Sequence, residues 1–102
     1  MFKIQIKTIR PDRKAAFYPI PESVDNLQNE LIQSGTLLKK VSTISKDSLI
    51  KTVTMVWKSR ADMLEFNSTP QLVEFIEQRS WYNQENSHIV NFITKEVDDV
   101  NE

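Results

Sequence analysis

The chain has no cysteine, one glycine (Gly35) and one histidine (His88) in its 102 residues. Without cysteine there is no disulfide, no thiolate nucleophile and no Cys-based metal site. A lone glycine excludes a glycine-rich loop that cradles phosphate. A lone histidine builds a zinc site only by recruiting distant carboxylates, so neither a metal nor a cofactor is expected. Neither sign of charge dominates, with 13 Lys and Arg against 14 Asp and Glu. The clustered positive field that holds nucleic acid or an anionic membrane is missing. The small clusters Arg10, Arg13, Lys14 and Lys39, Lys40 read as solvated edges. No apolar run is long enough to span a membrane, and the first residues alternate instead of forming a signal-peptide core. The expectation is a soluble cytoplasmic protein with no nucleic-acid or membrane partner. No serine sits in a nucleophile elbow, and no carboxylate pair is set out for glycosidase chemistry.

What the chain does have is periodicity. Phe2, Ile4 and Ile6 alternate with Lys3, Gln5 and Lys7, which marks a strand with one buried face. Arg10-Pro11-Asp12 ends it. Arg13 to Ile20, whose apolar run Ala15-Ala16-Phe17-Tyr18 lies between prolines, reads as an ordered loop or a short turn of helix whose aromatics cover the core or line a pocket mouth. Pro21-Glu22-Ser23 opens a helix with Val24, Leu27 and Leu31 on its apolar stripe, Ile32 widening it and Gln28 off it. Gly35 stands where a left-handed terminator is wanted. Thr36–Ser45 and Leu49–Trp57 form two strands, and the polar Ser45-Lys46-Asp47-Ser48 turn makes them a hairpin. Ser59 caps a helix over Arg60–Phe66, with Asp62 completing a box-like signal and Ala61, Leu64 and Met63 facing inward. Thr69 and Pro70 start another helix that runs to about Tyr82, with Leu72, Phe75, Ile76 and Arg79 along one side and Val73 beside them. Asn83–Ser87 reads as a loop, His88–Val97 as the last strand, and residues 98–102 as an acidic tail that frays.

The order is strand, helix, strand, strand, broken helix, strand. This is the βαββαβ pattern of a ferredoxin-like α+β domain over residues 1–97, a four-stranded antiparallel sheet with helices on one face. Both parities of the strands carry apolar groups: Leu49, Val53, Met55 and Trp57 against Ile50 and Val56, and Ile89 and Ile93 against Val90 and Phe92. A second apolar face of this size is expected to pack on its copy in a twofold homodimer.

Few residues carry chemistry. His88 has an imidazole that titrates near neutrality and is a candidate general acid or base, although a strand-end histidine is more often a surface residue. Arg79 offers a planar fork suited to an anionic ligand, and its structural alternative is a salt bridge to Glu74, Glu77 or Asp62. Trp57, Trp81, Tyr82, Phe17 and Tyr18 are candidates for the wall of a pocket for a small apolar or aromatic ligand, and equally for core or dimer contacts.

Val56-Trp57-Lys58-Ser59, entering a helix with Asp62 and Phe66 and followed by the Ser68-Thr69-Pro70 break, resembles the antibiotic biosynthesis monooxygenase superfamily of small dimeric α+β barrels. Arg79, Trp81 and Tyr82 add to the likeness. The resemblance adds Phe66 to the candidate ligand wall and implies a scaffold that holds many chemistries. Heme-degrading members use an asparagine on the first strand, a tryptophan in the short helix and a histidine on the next. Here Phe2–Ile9 has no asparagine, Phe66 stands at the tryptophan position and Ile76 near the histidine position, all of which speak against that role. Cofactor-free, quinone-forming members use Asn, Trp and Arg in a cavity between helices and sheet, residue types matched here by Asn91, Trp57 and Arg79. Two readings follow: a small-molecule-binding homodimer of cofactor-independent monooxygenase type, which needs such a cavity, or a non-catalytic dimeric domain for assembly or regulation, which needs that space filled.

Overall fold

The computed structural model describes residues 1–102. Its elements are β1 (Phe2–Ile9), α1 (Glu22–Gln33), β2 (Leu37–Ile44), β3 (Ile50–Trp57), α2 (Arg60–Asn67), α3 (Pro70–Glu85) and β4 (Ile89–Glu96). The strands form one sheet in the order β2-β3-β1-β4, with every neighbour antiparallel. This is the ferredoxin-like arrangement, with the helices on one face.

Register assigns the faces. Phe2, Ile4 and Ile6 lie opposite Trp57, Met55 and Val53, and directly opposed residues point to the same side. That side meets the helices through Val24, Met63, Phe66, Leu72 and Phe75, which share one buried cluster with Phe2, Ile4, Leu37, Met55 and Trp57. The other face presents Ile89 and Ile93, 60% and 59% exposed, with Val41 at 42%.

Local chemistry explains where the elements stop. Gly35 has φ +77°, and the Gly35 and Thr36 amides donate to the Ile32 and Leu31 carbonyls at 3.1 and 3.0 Å, a Schellman closure of α1. At the start of α2 the Asp62 amide donates to Ser59 Oγ, and the Ser59 hydroxyl donates to Asp62 Oδ2 at 2.8 Å, so the capping pair closes reciprocally. Thr69 departs from expectation. Its hydroxyl makes no cap bond to α3 and donates instead to the Phe66 carbonyl at 2.8 Å, tying the break to the helix behind it.

Several side chains sit where periodicity did not place them. Met63 and Phe66 are the buried residues of α2, while Leu64 is 47% exposed, and Ala61 is exposed as well. Ile32 and Val73 are exposed. Gln28 is buried, because it lies one turn beyond Val24 on the face of α1 that meets the sheet. Helix α3 continues through Asn83-Gln84-Glu85, since Asn83 extends the inward row one turn past Arg79 and is itself buried.

The basic residues near β1 are ties rather than solvated edges. Arg10 donates to the carbonyls of Ser48 and Ala15 at 2.8 and 2.9 Å, and Arg13 to that of Asp47 at 2.9 and 2.7 Å. They pin the 10–20 loop, which holds no helix, to the β2–β3 hairpin. The acidic tail lies along the sheet. Val97 is buried and its amide donates to the Met1 carbonyl. Lys3 and Lys39, both in register with Val56 on the outer face, donate through Nζ to the carbonyls of Glu102 and Val100. Val56 between them is fully buried.

Candidate functional site

The covered face of the sheet is not filled along its whole length. An inner chamber of about 150 Å³ runs under the helices, lined by Ile4, Trp57, Met63, Phe66, Leu72 and neighbours. An outer chamber of about 70 Å³ lies towards the 10–20 loop, lined by Thr8, Phe17, Tyr18, Ile20, Lys51 and Asn83. Ile6, Gln28, Met55, Phe75 and Arg79 line both, so the two lie side by side. A hollow at the surface, formed by His88, Val90 and Phe92 with Ser80 and Gln84, shares Arg79 and Asn83 with the outer chamber.

Sheet parity and helical spacing bring these side chains together. Lys51 belongs to the inward series of β3 with Val53, Met55 and Trp57, opposite Thr8. Arg79 and Asn83 are one turn apart on α3 and face the sheet.

The walls hold polar groups that the protein leaves unsatisfied. Trp57 Nε1, Gln28 Oε1, Asn83 Oδ1 and His88 Nδ1 are all buried without a hydrogen-bond partner. Each such group costs about 1–3 kcal/mol relative to a satisfied one, and folded proteins keep few of them. The first three belong to residues that line the chambers.

Two cations face the same space without a counter-charge. The chain's ion pairs are Met1–Glu96 and Lys40–Asp25. The salt bridge from Arg79 to Glu74, Glu77 or Asp62 does not form, and its guanidinium lies over the Phe75 ring at 5.1 Å instead. Burial holds the Arg79 pKa below its ordinary value. Lys51 is shifted down first by burial and then by the positive charges of Lys40 and Arg79.

The aromatic candidates divide. Trp57 and Phe66 line the inner chamber, with their rings 5.0 Å apart. Tyr18 and Phe17 line the outer one, and the Tyr18 hydroxyl donates to Gln78 Oε1 at 3.2 Å. Tyr82 stands one layer behind: its ring packs on Tyr18 at 5.1 Å and its hydroxyl donates to the Ala16 carbonyl, holding the loop down. Trp81 is 61% exposed and points away from the cavity. Asn91, opposite Lys7, is on the outer face, where no residue can reach the cavity.

His88 is not a surface residue. It is 7% exposed, with Tyr82 edge-on at 5.7 Å and Phe17 tilted at 6.1 Å. Burial, and then the charge of Arg10, depress its pKa against a smaller upward pull from Asp12, so the imidazole is neutral at pH 7.

Gln28, Lys51 and Asn83 are the site residues that sequence reading passed over. Lys51 had a legible signal, a lone charge at an inward position of β3. Gln28 and Asn83 had a weaker one, each four residues after an inward-facing residue.

Neither a protein-family model nor a curated protein matches the sequence. Solved structures do. A conserved protein of unknown function from Bacteroides thetaiotaomicron matches with TM-score 0.64 at 10% identity, over 94% of this chain and 96% of that one. A structure named antibiotic biosynthesis monooxygenase matches with TM-score 0.58 at 14% identity, over 95% and 98%. Rv0793 from Mycobacterium tuberculosis matches with TM-score 0.57 at 11% identity, over 98% and 99%. At these identities the likeness establishes the fold: the chain is built like the antibiotic biosynthesis monooxygenase-like proteins, end to end.

Proposed function

We propose that this protein binds a small aromatic molecule in the space between sheet and helices and oxygenates it without a cofactor, as a homodimer. The observation that carries the reading is the cavity itself, with the unsatisfied Trp57 Nε1 and Gln28 Oε1 in its wall and the unpaired Arg79 beside them. A purely structural domain would gain stability by filling such a space and pairing or removing such groups. An apolar cavity of about 150 Å³ is large enough for one benzene-sized ring.

In this reading Arg79 holds an ionised oxygen of the ligand and Trp57, Phe66 and Phe75 grip its ring. His88, neutral and with an unpartnered nitrogen at the adjoining hollow, is the candidate proton acceptor. The overall reaction converts a phenol and O₂ into a quinone and water: one oxygen atom replaces a ring C–H hydrogen, and that hydrogen and the phenolic hydrogen leave with the other oxygen as water. The fold likeness to monooxygenase-named structures supports this class of chemistry over others.

The dimer forms through the outer face of the sheet, where Ile89 is in register with Ile9 and Ile50, Ile93 is exposed on the same strand, and Val41 is exposed on the opposite edge strand. Light scattering on the eluting protein should give twice the mass of the chain; a monomer at micromolar concentration removes that part of the proposal.

The binding test uses the two tryptophans. In a Trp81→Phe variant, Trp57 is the sole indole, and titration with phenol or hydroquinone should quench or shift its emission saturably. An emission unchanged by every one-ring probe would sink the reading. An oxygen electrode then separates binding from turnover.

A further inference from the structure

We infer that the cavity is built for a hydroxylated one-ring aromatic carboxylate, a class of ligand named by the charge and hydrogen-bonding capacity of its walls. The inference rests on the small-molecule reading above and goes beyond it by specifying the ligand's groups.

Charge sets the first requirement. Lys51 and Arg79 line the outer chamber together, and no carboxylate faces either of them. The nearby Lys40 is already neutralised by Asp25 at 3.2 Å. Two desolvated like charges raise each other's cost, and a ligand anion between them relieves both. The planar fork of an arginine matches a carboxylate in two parallel hydrogen bonds, while a lysine adds a point charge.

The walls set the second requirement. Beyond the shared residues the inner chamber is aromatic and aliphatic apart from Asn67, with Trp57, Phe66 and Leu72 around it, and its volume of about 150 Å³ admits one ring and not a fused system.

The unsatisfied groups set the third. Trp57 Nε1 is a donor with no acceptor, and Gln28 Oε1 and Asn83 Oδ1 are acceptors with no donor. Gln28 and Asn83 are each only 6% exposed and Trp57 is wholly buried, so solvent does not relieve them. A hydroxyl both accepts and donates. On the ring, it offers a donor to the amide oxygen of Gln28, which lines both chambers. A bare hydrocarbon, or an acid without a hydroxyl, leaves that oxygen unsatisfied.

The test is calorimetric titration with para-hydroxybenzoate, benzoate, the neutral para-hydroxybenzamide and phenol, on the whole chain and on its Lys51→Met, Arg79→Met and Gln28→Leu variants. Thermal melts establish that each variant folds. The unaltered protein should bind para-hydroxybenzoate at least about tenfold more tightly than the amide, the yield of one charge-assisted contact. Added salt should weaken the acid and not the amide. Lys51→Met and Arg79→Met should each erode the preference for acid over amide, and Gln28→Leu the preference for hydroxybenzoate over benzoate. Equal or tighter binding of the amide by the unaltered protein overturns the inference and leaves the small-molecule reading standing. Binding of none of the four compounds overturns both. The comparison within the unaltered protein decides the matter even where a variant fails to fold.

Discussion

At one end of the covered face, Phe2 and Trp57 sit opposite each other with Leu37 beside them, all buried, and the Phe66 ring packs tilted against the indole. At the other end of the same strands the paired positions are Thr8 and Lys51, and the helix above supplies Arg79 and Asn83. The two ends share a backbone register and a helical roof, and differ in what the side chains are for. The first removes apolar surface from water, stabilises the fold and walls the inner chamber, with Trp57 Nε1 its one unpartnered polar atom. The second holds desolvated polar groups that the protein does not satisfy, which costs stability. Such groups persist where they serve something other than folding.

The largest test of this contrast is at the packed end. Trp57→Ala should lose about 3–5 kcal/mol in urea denaturation, the usual cost of deleting a large buried aromatic. Arg79→Met should lose far less, because it removes an unpaired charge and keeps the volume. Comparable losses for the two would erase the distinction between the ends.

Gln28→Leu should move the other way. Replacing an unsatisfied buried amide with an apolar side chain of similar size should raise stability by about 1–3 kcal/mol, read as a higher denaturation midpoint, and weaken ligand binding. A destabilised variant would mean that the amide is satisfied in solution.

Ser59→Ala should cost about 1 kcal/mol, because Ser59 fixes the start of α2 and thereby the helix that sets Phe66 on Trp57. Thermal melting measures it.

His88 makes the polar end sensitive to acid. Its pKa in the folded protein lies below the reference value of 6.5, so the unfolded chain binds the proton more readily. Stability is therefore highest above pH 6.5, falls as pH drops through that value, and levels off below the lowered folded pKa. Denaturation midpoints of the protein and of His88→Phe, compared across this window, should differ in slope. Parallel curves would exclude His88 as the source. The smallest effect is expected at Trp81, exposed and outside the cavity: Trp81→Ala should change stability by no more than about 0.5 kcal/mol and leave binding unchanged.

Much of the scaffold was legible because its signals are local. Alternation in Phe2–Ile6, the Ser59–Asp62 cap, Pro70 in the first turn of α3 and Gly35 after α1 each report the backbone within a few residues of themselves. The site was legible in part. Trp57, Phe66, Tyr18 and Arg79 were readable as candidates, and the structure places them on the cavity wall. Trp81 looked identical in kind, and one step around the helix puts it in solvent. Burial inverted the expectation for His88. Gln28 and Asn83 were passed over because polarity argues for exposure, and only the packing of α1 and α3 against the sheet shows that it fails there.

The sequence by itself determined the order of elements, the Ser59–Asp62 cap of α2, the Gly35 stop of α1 and the inward parity of β1, since these follow from near-neighbour sterics and the spacing of apolar groups. Tertiary structure alone decided that the two ends of one face would differ, that Lys51 and Arg79 from distant segments would share a cavity without a counter-charge, and that the tail would close over Val56. Those outcomes depend on which surfaces meet across the fold, and on how much water is left between them when they do.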